Sequence, residues 1–271
     1  VPVFTAGSLL AVGLRATASE ALAPLADVRF VALTLVVGWV VCPVVAWLLL
    51  AMVPLDRPYA AALLVLSLAP AAPFAPALMQ RSGADSGHTA AFMILTTVAT
   101  VAILPVAAPF LIGGVSTSRF LIARPLLLLV LLPLMIGLTV RWLNRDAADL
   151  ALRPVTMLAN AAGLVLLIAI VPLHGSGMVN AVGSFAIAAQ LVFVAVVTVA
   201  AHLASTTLAE TAQPVLTIGM CSRNLAAALA PMAQIEPDPR AIVMIAIAVP
   251  ITLAASILAA RRLTPRRAGF A

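Results

Sequence analysis

The chain has 271 residues, of which 64% are hydrophobic and only 9% charged, with a mean hydropathy of +1.19. A soluble domain carries about 25% charged and roughly 45–50% apolar residues, so the surplus apolar surface must face lipid and the chain reads as a polytopic membrane protein. The 15 basic residues are all arginine and lie almost wholly between the apolar runs, which is a topology signal and no nucleic-acid footprint. Two cysteines inside apolar stretches, Cys42 and Cys221, and three scattered histidines form neither a disulfide framework nor a metal knuckle. The nine acids sit in loops or at span ends, so they offer no paired carboxylates for intramembrane catalysis.

In chain order, Val1 to Leu14 is short for a crossing but is read as one. Arg15 to Asp27, whose apolar residues are mostly alanine, reads as a connecting loop in preference to a membrane-surface helix. Apolar runs near 28–53, 90–112, 120–140, 154–173, 178–203 and 241–260 meet the roughly 20 residues that a spanning helix needs. Two further runs, near 59–81 and 206–235, are apolar but interrupted at their middles.

With nine crossings the loops alternate sides. Arg15, Arg29, Arg81, Arg141, Arg145, Arg153, Arg261, Arg262, Arg266 and Arg267 fall on one side, and Arg57, Arg119, Arg124 and Arg240 on the other. The arginine-rich side is expected to be cytoplasmic. That puts the C-terminus inside and residue 1 outside, and the expected location is a bacterial inner (plasma) membrane. Asp85, Glu210 and His88 fall near span ends and read as solvated loop groups.

The first interruption is Ser67 to Pro76, where Pro70, Pro73 and Pro76 remove backbone donors and clash with preceding carbonyls. The freed backbone groups cannot face lipid, so this chain must be buried in protein or line a wet cavity. The second is the polar island Thr217-Ile218-Gly219-Met220-Cys221-Ser222-Arg223-Asn224, which holds the one arginine left inside a membrane segment. A mid-membrane arginine costs about 2.5–3.5 kcal/mol on insertion scales, so Arg223 asks for a cavity, a partner or a ligand. Cys42, followed by Pro43 within a span, reads as plain packing.

Each interrupted segment is followed by one last helix, at Ala90 to Ile112 and at Ala241 to Ala260. Paired broken helices in corresponding positions point to an inverted repeat with a midplane site. The expected fold is an all-α integral membrane bundle of about nine transmembrane helices. Residues 1–117 form the first repeat and residues 118–271 the second, built on five-helix units, with the opening helix of the first unit missing.

At these residues the sequence resembles the bile acid:sodium symporter family, within the wider group of arsenite and auxin-type carriers. The likeness runs from about Val3 to Arg262. The family's first crossing helix carries Pro-Gly-Gly followed by Ser-Asn; here Pro70 matches, Ala71 and Ala72 replace the glycines, and Ala75 and Pro76 replace Ser-Asn. The second carries Glu-x-Gly-Met-Gln-Asn-x-x-Leu-Ala; Gly219, Met220, Leu225 and Ala226 match, while Thr217, Cys221 and Ser222 stand for the glutamate, glutamine and asparagine. The replaced side chains are those that the resemblance assigns to two sodium ions. Sodium prefers hard oxygen ligands, which Cys221 and Pro76 lack. Thr89, Thr217 and the carbonyls of Ile218 and Met220 leave material for at most one weak cation site, and no other cofactor is expected.

The resulting expectation is a secondary transporter of organic anions working by alternating access, with the lipid bilayer as its surroundings. Arg223 supplies fixed positive charge where relatives use bound sodium, assisted by half-helix N-termini. Its planar fork suits a carboxylate or sulfonate, Asn224 and Ser222 orient the anion, and Phe74, Pro73 and Met220 present apolar surface to its body. The broken-helix crossing itself is assigned to Pro70, Pro76, Gly219, Met220 and Cys221. A sodium-independent or proton-coupled anion carrier is the alternative within this class, and a non-transporting membrane sensor or structural protein is the alternative outside it.

Overall fold

A computed structural model describes residues 2–113 and 118–264, and among these the regular structure is helical throughout. Arg266 and Arg267, placed on the arginine-rich side by counting, lie outside the described residues. The helices in chain order are α1 (Pro2–Arg15), α2 (Ala18–Leu25), α3 (Val28–Met52), α4 (Arg57–Ser67), α5 (Ala75–Arg81) and α6 (Ser86–Ile112), then α7 (Arg119–Leu143), α8 (Arg145–Asn180), α9 (Ala186–Ser205), α10 (Gln213–Cys221), α11 (Leu225–Ile235) and α12 (Pro239–Leu263). The long apolar members, α3, α6, α7, α8, α9 and α12, correspond to the six expected spans, and α8 runs well beyond the predicted 154–173 at both ends.

Helix starts follow their capping residues. The side chains of Asp27, Asp85, Ser118, Asn144, Asn224 and Asp238 each accept a backbone N–H from the first turn that follows. Pro58, Pro76, Pro214 and Pro239 occupy first turns, where a missing N–H costs nothing. Two prolines inside spans are accommodated in one way. A π-helical turn over Val37–Val41 precedes Pro43, and another over Leu127–Leu131 precedes Pro133, which absorbs the clash between the proline ring and the carbonyl four residues back.

The short interrupted helices sit at the centre. Every residue of α4 from Pro58 to Ser67 except Ala60 is buried, as is all of α10 from Pro214 to Cys221. A helix apolar all round belongs in such a place. The outer helices α3, α7 and α8 expose Val40, Trp47, Leu128, Leu132, Leu164 and Ile168, as a lipid-facing surface requires. Helix α1 packs against α7 and α8. Its crossing with α7 is a backbone contact: a Cβ on Gly13 would stand 2.4 Å from the Leu134 carbonyl oxygen, and one on Gly137 would stand 2.5 Å from that of Leu10. Small residues permit such close approach where lipid supplies no hydrophobic drive to associate.

Contacts between loops fall into two groups. In one, Arg29 bonds to the Thr207 carbonyl, Ser82 to the Ala260 carbonyl and Arg141 to Asp149. In the other, Arg57 bonds to Glu236 and the Gly113 carbonyl, and Arg240 bonds to Asp56.

Two expectations need correction. The stretch 18–25, expected as a loop, is a helix, because its small alanine faces let it lie against α6. The second interruption is also shorter than expected: Gly219, Met220 and Cys221 complete the last turn of α10, and only Ser222, Arg223 and Asn224 leave helical geometry. Gly219 is no helix breaker here. It makes room for α6, since a Cβ would fall 2.2 Å from the Phe92 ring.

Candidate functional site

The crossing is made of backbone. Helix α4 ends at Ser67, and the chain then runs without regular helix to Ala75, because Pro70 and Pro73 cannot donate to the preceding turn. Within this stretch Ala71 adopts φ 69°, a left-handed conformation at a position where a glycine would be unstrained. Pro70 and Arg223 form an isolated antiparallel bridge. Asn224 N donates to Ala69 O at 2.9 Å, and Ala71 N lies 3.1 Å from Gly219 O and 3.2 Å from Ser222 O. Pro76 lies in the first turn of α5, so it borders this stretch and is not part of it.

Two predicted residues complete the crossing with their side chains. Ser222 Oγ accepts from Ala72 N at 3.1 Å and donates to Gly219 O at 3.0 Å. Asn224 Oδ1 caps α11 by accepting from Ala227 N at 3.0 Å.

Arg223 is 0% exposed. Its Nη1 donates to Ser67 O at 3.4 Å, and its Nη2 donates to Met220 O and to Cys42 Sγ, the latter at 3.2 Å. The guanidinium carbon stands 5.1 Å from the centroid of the Phe193 ring, within cation–π range. Ser67 ends α4, and Met220 lies in the last turn of α10. The guanidinium therefore joins the negative C-terminal ends of both half-helices. No ion pair among the described residues includes Arg223, and its Nε is buried without a hydrogen-bond partner. Cys42, expected as plain packing, is one of its acceptors, because α3 passes close to the crossing: a Cβ on Gly38 would stand 3.6 Å from Pro70 Cγ.

The residues considered for a cation are engaged separately. Thr89 Oγ1 donates to Asp85 O at 2.8 Å, Thr217 Oγ1 lies 3.2 Å from Ser205 Oγ, Ile218 O accepts from Ser222 N at 3.1 Å, and Met220 O accepts from Arg223.

A partly open cavity of about 190 Å³ lies beside the crossing, between α1 and α8 on one side and α5 and α6 on the other. Its lining includes Pro73, Phe74, Pro76 and Thr89, together with Ser8, Arg15, Gln80 and Asn160. Ser222, Arg223 and Asn224 are not in that lining. The structure thus separates the predicted residues into a crossing group and a cavity group. Arg15 was legible only as a topology arginine, and Gln80 and Asn160 carried no signal at all. Gln190 also went unnoticed: fully buried on α9 three residues before Phe193, it has neither amide atom paired.

At the mouth of α6, outside the span, Asp85 Oδ2 meets His88 Nδ1 at 2.5 Å and Asp85 Oδ1 accepts His88 N at 2.8 Å. Burial pushes the Asp85 carboxyl up, but the His88 bonds and charge, with the Thr211 hydroxyl, outweigh it and hold the group below its ordinary value.

A bundle with apolar outer helices that keeps its irregular backbone buried at the centre is built for a lipid surrounding. The profile of the sodium bile acid symporter family matches residues 7–181, well over half of the chain. The chain belongs to the sodium bile acid symporter family. Members of this family are membrane transporters and not enzymes, so the protein is an integral membrane protein in contact with the lipid bilayer. A comparison with curated proteins finds no match. The matched region contains the first interrupted segment and the whole cavity lining, while the segment that carries Arg223 lies beyond it.

Proposed function

We propose that the protein is a secondary carrier of small organic anions in which Arg223 serves as a built-in cation of the crossing, making transport independent of sodium. The observation that carries this reading is the placement of one buried guanidinium on the terminal carbonyls of both half-helices. Half-helix C-termini and unwound carbonyls are where a transporter of this architecture coordinates its coupling ion. A tethered guanidinium at that place supplies the charge without a bound ion.

The anion enters the cavity beside the crossing. Arg15 offers a fork of donors for a carboxylate or sulfonate, Asn160 and Gln80 add polar contacts, and Phe74 and Pro73 receive the apolar body. A cavity of about 190 Å³ is little larger than the roughly 150 Å³ that holds benzene in a protein core. The fit is therefore to a compact monoanion, and a steroid-sized guest would need a wider state.

Access alternates as α1, α7 and α8 move against the remaining helices. The two crossing pairs, α4–α5 and α10–α11, are matching members of an inverted repeat, with α1, α3 and α6 corresponding to α8, α9 and α12. The loop group that contains Arg29, Ser82 and Arg141 faces the cytoplasm, by the arginine bias.

In a second reading Arg223, Ser222 and Asn224 touch the anion directly. The free Arg223 Nε favours it, although Ser222 and Asn224 would have to release their present backbone partners.

Uptake of labelled organic anions into proteoliposomes, with and without a sodium gradient, tests the proposal. Wild-type uptake is expected to ignore the sodium gradient and to fall at least tenfold in Arg15→Ala. Strict sodium dependence would overturn it. Loss of uptake in Arg223→Lys with Arg15→Ala fully active would select the second reading.

A further inference from the structure

A second cavity, of about 580 Å³, lies away from the crossing, where α2 meets the corner between α7 and α8. Its polar wall includes Thr17, Thr139, Arg141 and Arg145, and its apolar wall includes Leu22, Ile94 and Leu138. Trp142, 77% exposed, stands at its rim at the end of α7.

Several observations indicate that this cavity is built for an anion. Arg141 gives one Nη to Asp149, but its Nε is buried without a hydrogen-bond partner. Thr17 Oγ1 is likewise buried and unpaired. Arg145, the first residue of α8, makes no ion pair among the described residues. Buried polar groups are ordinarily satisfied, so two orphaned donors in one cavity beside an uncommitted guanidinium call for an absent acceptor. Asp149 neutralises part of the charge of Arg141, and Asp146 is exposed in the same turn of α8. Thr17 and Arg145 are left to the guest.

We infer that this cavity binds the phosphate headgroup of an anionic phospholipid, with one acyl chain lying along the Leu22, Ile94 and Leu138 wall. Arginine forks match phosphate oxygens in geometry and charge. Basic pockets between membrane helices recognise anionic headgroups, and an exposed tryptophan marks headgroup depth. A soluble phosphate shares the headgroup chemistry but makes no use of the apolar wall, so the lipid is the better guest. The short helix α2, which the sequence hid among alanines, forms the roof of the site.

The test uses the full chain reconstituted in nanodiscs of phosphatidylcholine with or without phosphatidylglycerol, then released for native mass spectrometry. Wild-type protein is expected to retain one phosphatidylglycerol, and Arg141→Gln combined with Arg145→Gln is expected to lower that retention at least fivefold. A control with Arg261→Gln and Arg262→Gln, at the end of α12, should retain the lipid fully. Equal retention by wild type and the first variant overturns the inference, and so does equal loss in the control, which would indicate general charge attraction. If inorganic phosphate alone raises thermal stability as much as phosphatidylglycerol does, the lipid assignment also falls. Should the double variant fail to fold, a photoreactive phosphatidylglycerol applied to the wild type gives the answer: labelling within 16–25 and 138–145 supports the site, and labelling spread over the lipid-facing helices refutes it.

Discussion

Replacing Arg223 by alanine tests the idea of a built-in cation most directly. The substitution removes the donors that hold Ser67 O and Met220 O, and leaving a buried carbonyl unpaired costs about 1–3 kcal/mol each. Relief of the mid-membrane charge returns about 2.5–3.5 kcal/mol. The two effects largely offset each other, so the variant is expected to fold with stability within a few kcal/mol of wild type. The vacated carbonyls should then accept a free cation. For a site with Kd on the order of 10 mM, mass action predicts about 1.4 kcal/mol of stabilisation in roughly 100 mM sodium. That corresponds to a rise in melting temperature of roughly 3 °C. Thermal unfolding in matched sodium and potassium chloride reads the shift, and wild type should show none. Uptake by the variant should fall at least tenfold in potassium and recover partly in sodium. Unchanged uptake in the variant, or melting indifferent to the salt, would refute the reasoning.

Ala71→Gly should raise the melting temperature, because relief of the left-handed strain, about 1–2 kcal/mol, exceeds the entropy cost of a glycine, roughly 0.5–1 kcal/mol. Gly219→Ala should lower folded yield and abolish uptake, since the added methyl overlaps the Phe92 ring; adding Phe92→Leu should restore folding in part, measured by size-exclusion profile. Gly137→Val should separate α1 from α7, lowering stability by about 1–3 kcal/mol or more, measured by thermal unfolding in detergent. The depressed Asp85 carboxyl contributes stability that is present above its ordinary value of 3.8 and is lost as pH falls through its folded value. Asp85→Asn should therefore lower stability near neutrality, where the carboxylate makes its contribution, and converge with wild type in acid, flattening the acid limb of a stability-against-pH curve.

The six long spans were legible because lipid enforces continuous apolar runs, and the first interruption was legible because prolines leave an unambiguous mark. The second was located but drawn too wide. A glycine in a polar island signals both a break and a close contact, and only the position of Phe92 decides that Gly219 is the latter. The partners of Arg223 were out of reach for a different reason. Its acceptors are two main-chain carbonyls and a thiol, and neither the Ser67 carbonyl nor Cys42 is brought near it by any local pattern. Arg15 shows the opposite failing, since the counting that assigned it to a membrane side gave no hint that it lines a cavity.

The ties of Asn224 N to Ala69 O and of Ala71 N to Gly219 O and Ser222 O are main-chain bonds, which no rotamer change can undo. The four half-helices behave as a welded hub, and displacement of one drags the other three. The change of access proposed above would then hinge elsewhere, along the cavity where α1 and α8 face Phe74. There a cavity parts the elements, and no backbone hydrogen bond of the described residues ties them together.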